Sequence, residues 1–240
     1  MKKLREIEAP LANFFASGVL RLKEKLGPIL WQFPPNFAFD PERFESFFQL
    51  LPKDAEGALE LARKRDQRMK GRSYLRVDTN RKLRHAVEIR HDSFKSPEFV
   101  TLLRKYKVGL VVADTAGKWP FLEDVTADLV YARLHGDEQL YVSGYTPEAL
   151  DRWAARVRAW RQGREIVDAA HASDQMPAKR KSRDVYVYFD NDVKVRAPFD
   201  AIELAQRVGG YVPQHMPSEP PENIDEEART SWPVIRKSPP

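Results

Sequence analysis

The 240-residue chain contains no cysteine. It therefore forms no disulfide, iron–sulfur cluster or thiolate zinc site, and it has no thiol nucleophile. The chain also has no apolar run near the ~20 residues that a membrane span requires, and no apolar stretch follows the basic start MKKLREIEAP. We therefore expect a cytoplasmic protein with no membrane partner.

Three nucleotide-binding and hydrolase motifs are missing as well. The sequence has no GxGxxG, no GxxxxGK(S/T) and no GxSxG. Their absence argues against dinucleotide binding, P-loop nucleotide hydrolysis and an α/β-hydrolase nucleophile. Nothing else in the chain identifies a cofactor.

The composition is that of a folded protein with a mild basic excess. Apolar residues make up 42% of the chain, and 40 Lys and Arg face 35 Asp and Glu, a formal net charge of +5. Basic residues concentrate in two places, the segment 53–84 and the run from Lys179 to Arg183. From Pro213 onward the chain has seven of its eighteen prolines, so we expect a flexible Pro-rich tail over 211–240, with Trp232 and Ile235 as a docking spot.

Strand-like and helix-like segments alternate along residues 1–210. The strand-like runs are rich in Val, Ile, Tyr and Phe, and they are ILWQF (29–33), HAVEIR (85–90), GLVVAD (109–114), LVYARLH (129–135) and VYVYFD (185–190). Helical patterns cover 41–51 and 197–208 and begin at 96 and 146; three of the four open with a capping residue followed by proline. This alternation predicts an α/β fold with parallel strands and right-handed crossovers.

The parity of polar residues within two strands favours a barrel over an open doubly wound sheet. Tyr131, Arg133 and His135 share one face of their strand, and Glu88 and Arg90 share one face of theirs. Strands covered by helices on both sides are usually apolar throughout. One polar face on each strand therefore indicates an inner surface lined by several strands, as in a barrel.

Five segments in order resemble the YecE-like family, domain of unknown function 72. They are FFASGVLRLKEKLGPILWQFPPNF (14–37), RHAVEIRHDSF (84–94), VVADTAG with WP (111–120), YARLHGDE with LYVSGY (131–145) and YVYFDND (186–192). The resemblance covers roughly residues 4–208 and implies a TIM-type β/α barrel. The activity of that family is not established, so the resemblance supports the fold more than the function.

The start of the chain departs from the family pattern. The glycine-rich first strand, the Glu-x-Asn motif of the second and the lysine that ends the third are all missing, so we expect a partial (truncated) barrel of about five parallel strands over 1–210. Either the reading frame starts upstream or the shortened form is real. In the shortened form, 29–33 and 185–190 become open sheet edges, and self-association through these edges, or low stability, is expected.

The predicted site lies at the carboxyl ends of the strands, where β/α barrels hold their functional residues. The candidate catalytic residues are His135, Glu88 and Asp114. The candidate substrate-binding residues are Arg133, Arg90, His91, Gly136, Tyr145, Asn191 and Gln32. His135 is suited to proton transfer and Arg133 to holding an anion, with Glu88 or Asp114 orienting the pair.

Each candidate also has a structural explanation. Arg133 could pair internally with Glu88 or Asp114, His135 could simply cap its strand, and Glu88 with Arg90 could form an interior ion pair. Tyr145 could pack a loop instead of stacking on a ligand. We assign no metal, because no tight ligand spacing is present.

The sequence leaves three hypotheses for the function of the chain. The first is a hydrolase- or lyase-like activity on a small polar or anionic substrate at the strand ends. The alternative is nucleic-acid binding or processing, motivated by the two basic segments. A non-catalytic remnant is the third reading, because the missing strands would line the same pocket.

Overall fold

Five parallel strands form one sheet in chain order. In the computed structural model, which describes residues 4–192 and 195–210, they are β1 (Ile29–Gln32), β2 (His85–Glu88), β3 (Gly109–Asp114), β4 (Leu129–Leu134) and β5 (Asp184–Phe189). The sheet curls into a half-barrel, which confirms the predicted α/β partial barrel. The predictions for the tail 211–240, including Trp232 and Ile235, lie outside the described residues.

The described part of the chain contains six α-helices. They are α1 (Glu8–Ala16), α2 (Pro41–Leu50), α3 (Ala55–Arg63), α4 (Pro97–Tyr106), α5 (Pro147–Arg161) and α6 (Ala197–Arg207). The side chains of Asp40, Ser96 and Thr146 accept backbone N–H hydrogen bonds at the starts of α2, α4 and α5, with proline following each cap, as the sequence predicts. None of the helices in the described part of the chain is long and apolar enough to cross a bilayer.

The two faces of the sheet carry different layers of the core. On the outer face, Val130, Ala132 and Leu134 pack with α5. On the inner face, Ala86, Val111 and Tyr131 belong to a smaller apolar cluster. The inward parity predicted for Tyr131 and Arg133 is therefore correct, and it directs the polar end of β4 into the concave side of the half-barrel.

Within the described residues, β1 and β5 form the two edges of the sheet. The outward side chains of β1, Ile29 and Trp31, are buried, and Trp31 packs against Phe14 of α1 at 5.4 Å between ring centroids. Inward side chains are more open: Gln32 is exposed, and Tyr188 of β5 is 44% exposed although it stacks on Tyr131 at 4.9 Å. The half-barrel is therefore covered on its outside and open along its inner edges.

The basic segment 53–84 is less helical than its composition suggests. Only α3 and a 3₁₀ turn at Gln67–Met69 are helical. Tyr74 donates its backbone N–H to Ala16 of α1, and the end of the segment pairs with its own start through the antiparallel bridge between Asp54 and Lys82. Glycine, serine and asparagine in the second half of the segment favour turns over a continuing helix.

Two buried carboxylates hold the long connection between α5 and β5. Glu123 accepts the backbone N–H of Ala170 at 3.1 Å, and Asp124 accepts those of Ala172 and Ser173 at 2.7 and 3.2 Å. Arg156 of α5 donates to Glu123 at 2.8 Å. Burying these carboxylates is offset by the hydrogen bonds that they accept, so the connection is fixed to the barrel wall.

A buried histidine outside the predicted site supports the outer face. Trp31 Nε1 donates to His85 Nδ1 at 3.1 Å, and His85 Nε2 donates to the carbonyl of Pro52 at 2.7 Å. Burial lowers the pKa of His85 below its ordinary value of 6.5, against the raising effect of the Pro52 carbonyl. The imidazole is therefore neutral and links β1, β2 and the chain before α3.

We predict that His85→Phe lowers the free energy of unfolding by about 1–3 kcal/mol, because Trp31 Nε1 and the Pro52 carbonyl lose their partners. The unfolded chain binds a proton at this histidine below about pH 6.5 and the folded chain does not, so wild-type stability falls as the pH drops through that region. Urea denaturation at about pH 7.5 and about pH 5.5 should show that acidification lowers the free energy of unfolding less in the variant than in the wild type. An equal decrease in both proteins would contradict this role.

Candidate functional site

The carboxyl ends of four strands meet at one guanidinium group. Arg133 of β4 donates Nη1 to Glu88 of β2 and, at 2.9 Å, to Gln32 Oε1 of β1. Its Nη2 forms an ion pair with Asp190, the residue after β5. The structure thus brings Gln32, Glu88, Arg133 and Asp190 together, and we call these four residues, with Arg90 and His135, the rim network.

Glu88 is fully buried and has two cationic partners. Arg90 Nε donates to Glu88 Oε1 at 2.9 Å, while Arg133 contacts Oε2. The predicted interior ion pair is therefore present, with both arginines taking part. An unpaired buried carboxylate is costly, so this arrangement is what allows an acid inside the barrel.

Arg90 also forms the link to an aromatic side chain. Its guanidinium lies over the indole ring of Trp119, 3.8 Å from the ring centroid. Trp119 is half-buried, and its backbone N–H donates to Thr115 Oγ1 at 3.0 Å. A guanidinium over an aromatic face gains from both cation–π attraction and packing. Trp119 thus borders the rim network beside Arg90.

His135 lies under the network, with its side chain fully buried. Its backbone N–H and its ring Nδ1 both face the carbonyl oxygen of Asp114, at 2.9 and 3.1 Å. Nε2 lies 3.4 Å from Asp190 Oδ2 and has no hydrogen-bond partner among the described residues. Burial and then the charge of Arg133 lower the pKa of His135 below 6.5, although Glu88 and Asp190 act in the opposite direction.

The carboxyl group of Asp114 is not part of the rim network. Asp114 has the parity of Val112, and its Oδ2 accepts the hydroxyl of Tyr145 at 3.1 Å on the outer side of β3. Burial raises the pKa of this carboxyl above its usual value, against the lowering effect of Tyr145. It borders a separate cleft of about 350 Å³ with Trp153 and Arg156. Asp114 reaches His135 only through its backbone carbonyl.

Tyr145 and Asn191 are placed as supports of a loop. Tyr145 is 6% exposed, and its hydroxyl accepts the N–H of Gly136 at 3.2 Å, so its ring is not free to stack on a ligand. Asn191 is fully buried and donates Nδ2 to Asp200 at 2.6 Å and to the carbonyl of Ser143 at 3.0 Å. These contacts join the loop after β4 to the segment before α6.

Gly136 has a backbone requirement of its own. Its φ is +120°, and a Cβ built there would lie 2.4 Å from the carbonyl oxygen of Gln139. Any other residue would strain this turn. The glycine therefore shapes the loop directly after His135.

His91 lies apart from the network as well. It is half-buried, and its Nδ1 accepts the backbone N–H of Ser93 at 3.1 Å, capping the 3₁₀ turn Asp92–Phe94. None of the described contacts connects it to Glu88 or Arg133. The substrate-binding role of His91 stays a prediction, and no described contact between His91 and the rim network supports it.

The carboxylates at the strand ends are divided between two places. Glu88 and Asp190 sit on opposite sides of the Arg133 guanidinium, and the Asp114 carboxyl points away. Within residues 4–192 and 195–210, no group of three or more His, Asp or Glu has a metal-binding arrangement. The geometry present at the rim is that of charge pairs.

Two further residues contribute to the site without being among the predicted catalytic or substrate-binding residues. Asp190 follows β5 in YVYFDND, forms an ion pair with Arg133 and lies beside His135, and its place directly after a strand is the signal that identifies it. Trp119 lies in an irregular loop, and its contact with Arg90 places it at the edge of the site.

Comparison with known proteins agrees with the architecture. The family model described as "Protein of unknown function DUF72" matches residues 1–224. The chain belongs to the DUF72 family. This confirms the resemblance carried by the five strand-end motifs.

Solved DUF72 structures have the same fold. A DUF72 family protein of Thermotoga maritima MSB8 is 22% identical, with a TM-score of 0.58 over 87% of this chain and 68% of that chain. One from Enterococcus faecalis V583 is 17% identical, with a TM-score of 0.59 over 88% of this chain and 70% of that chain. At these identities the likeness shows the fold alone. No curated protein matches the chain.

We predict that Glu88→Gln lowers the free energy of unfolding by about 3–5 kcal/mol, because Arg90 loses its carboxylate partner and Arg133 loses one of two in a buried setting. The matched control is Asp92→Asn, the same chemical change at an exposed carboxylate paired only with Lys95. Urea denaturation should show a change of at most about 0.5 kcal/mol for the control. Equal effects of the two substitutions would rule out Glu88 as the organising charge of the rim.

Proposed function

We propose that the rim network binds a small polar substrate and that His135 is the general base of a hydrolase- or lyase-like reaction. Both reaction classes begin with removal of a proton, from water in a hydrolase and from carbon in a lyase. The observation that carries the proposal is the buried, unpartnered Nε2 of His135 beside Asp190.

The hydrogen bond at Nδ1 defines the tautomer of His135. A carbonyl oxygen only accepts, so Nδ1 must carry the hydrogen that it shares with Asp114 O. In the neutral ring, Nε2 then has the free lone pair. Depression of the His135 pKa keeps that lone pair available at neutral pH. These features are those of a proton acceptor that is ready before the substrate arrives.

Arg133 and Asp190 act on His135 in opposite directions. The positive charge of Arg133 disfavours a protonated imidazole before reaction, while Asp190 Oδ2, 3.4 Å from Nε2, would stabilise the imidazolium that forms when a proton is taken. Stabilising a charge that develops only during the reaction favours the transition state over the bound substrate. Asp190 therefore has the role that sequence reasoning gave to Asp114.

The charges of the rim bear on the substrate. Arg133 already pairs with the carboxylates of Glu88 and Asp190, and Arg90 shares Glu88 with Arg133. A strongly charged anion would therefore find no free cation. Asp190 is 28% exposed and is the one acid of the network that a ligand hydroxyl can approach as a donor. The proposed substrate is a small hydroxylated compound with at most one negative charge.

We predict that His135→Asn abolishes turnover while leaving the fold intact. The amide of asparagine matches Nδ1 and keeps the hydrogen bond to Asp114 O, but the basic Nε2 is gone. A substrate is sought by thermal shift with a panel of sugars, polyols, hydroxy acids and phosphate esters. For a compound that binds and is converted, kcat should fall by about 10²–10⁴-fold with KM nearly unchanged.

The control substitution is His171→Asn, which alters an exposed histidine in the connection between α5 and β5. It should leave kcat unchanged. Wild-type kcat/KM should rise with pH along a limb whose midpoint lies below 6.5, following the depressed pKa of His135. A His135→Asn protein that turns the compound over at the wild-type rate would eliminate His135 as the base.

A further inference from the structure

Basic side chains line two adjoining clefts at the end of the sheet opposite the rim. The first cleft, of about 250 Å³, is lined by Lys53, Lys82, Arg84, Lys105 and Lys107. Lys82 and Arg84 directly precede β2, and Lys107 closes α4 just before β3. The cleft therefore lies at the amino ends of the strands.

The second cleft continues the first across Lys107. It is about 230 Å³ in volume, and its basic lining residues are Arg104, Lys107 and Arg180. Arg180 comes from the run before β5, whereas Lys53 and Lys82 come from the segment before β2. Lys53 in the first basic segment and Arg183 at the end of the second are 130 residues apart in the chain. The two basic segments nevertheless meet at one end of the barrel.

The charges around Asp128 show that the two basic segments lie close together. It forms an ion pair with Lys82. Burial alone would raise the pKa of its carboxyl, but Lys82, Arg84 and Arg180 together hold that pKa below its usual value. The Asp128 carboxylate therefore interacts electrostatically with cations from both basic segments.

The two clefts carry a surplus of positive charge. Seven cationic side chains line them, and three of these have carboxylate partners: Lys82 with Asp128, Arg84 with Asp184, and Lys105 with Glu45. The described residues offer no carboxylate partner within ion-pair distance to the other four. We call these four, Lys53, Arg104, Lys107 and Arg180, the basal cations.

We propose that the surface formed by the two clefts binds the sugar–phosphate backbone of a nucleic acid without sequence preference. The basal cations are distributed over two clefts and do not converge on one point, so they suit a ligand with repeated phosphates better than a single phosphate group. Lysine and arginine contacts to phosphates give affinity and salt dependence but do not read bases.

A membrane surface fits these clefts less well. Peripheral membrane binding combines basic residues with apolar side chains that enter the lipid. None of the exposed large apolar side chains of the described chain, such as Val167 and Met176, lines either cleft. The large aliphatic residues that line the clefts, such as Leu51, Leu83 and Val108, are buried, so they are not available to enter a lipid layer.

The test measures binding of a fluorescein-labelled, mixed-sequence duplex by fluorescence anisotropy between about 50 and 200 mM salt. Arg104 already donates to the carbonyls of Val125 and Gln175, so three basal cations are free for phosphate contacts. For the wild-type chain, a plot of log Kobs against log salt should therefore have a slope of about −3. The triple variant Lys53→Gln/Lys107→Gln/Arg180→Gln should flatten the slope by about 2 to 3 and weaken binding more than tenfold at the lowest salt.

The matched control is Lys70→Gln/Arg72→Gln/Arg76→Gln. It removes the same charge from exposed positions of the same basic segment that line neither cleft. It should bind as the wild type does, and circular dichroism confirms that both variants fold. Equal losses in the two triple variants, no binding at low salt, or tighter binding to phosphatidylserine vesicles than to the duplex would each overturn the proposal. None of these results bears on His135, because no rim residue is changed.

Discussion

The ends of the strands depend on one buried negative charge. Glu88 has no contact with solvent, and a carboxylate in that setting must be paired. Because its two partners come from its own strand end and from β4, pairing it also fixes where those strand ends lie. Arg133 then extends the same constraint to Gln32 of β1 and to Asp190 after β5.

The third strand joins this arrangement without contributing a charge. The carbonyl of Asp114 receives both the backbone N–H and the ring Nδ1 of His135, so β3 orients the imidazole through its backbone. Different residues of the rim can therefore have structural and functional roles at the same time. Glu88 and Arg133 are committed to holding the strand ends, and this leaves His135 as the group whose reactive atom is unused.

Side-chain parity explains both the success and the failure of sequence reasoning here. Alternation along LVYARLH and HAVEIR correctly placed Arg133 with Glu88, because strand side chains alternate strictly between faces. The same rule applied to GLVVAD assigns Asp114 to the face of Val112, away from the rim, and its carboxyl lies there. The position of Tyr145 does not follow from a pattern, because its hydroxyl partner, the Asp114 carboxyl, is known only once β3 is oriented.

Other features could not be found from patterns at all. Glu123 and Asp124 hold the segment around Ala172 through backbone N–H groups, and backbone donors exist at almost every position, so no residue type marks the partner. The strand boundaries, by contrast, follow from local apolar runs ended by polar clusters, and all five predicted strands agree with the structure to within two residues.

The two ends of the sheet use charge in opposite ways. At the rim, arginines and carboxylates neutralise one another inside the protein, so recognition there must rest on directed hydrogen bonds and on the single lone pair of His135. At the base, the cations outnumber the carboxylates and most of them are exposed, so attraction there is long-ranged and weakened by salt. Salt screens the exposed base far more than the buried rim. Ionic strength therefore distinguishes electrostatic attraction at the base from hydrogen bonding at the rim.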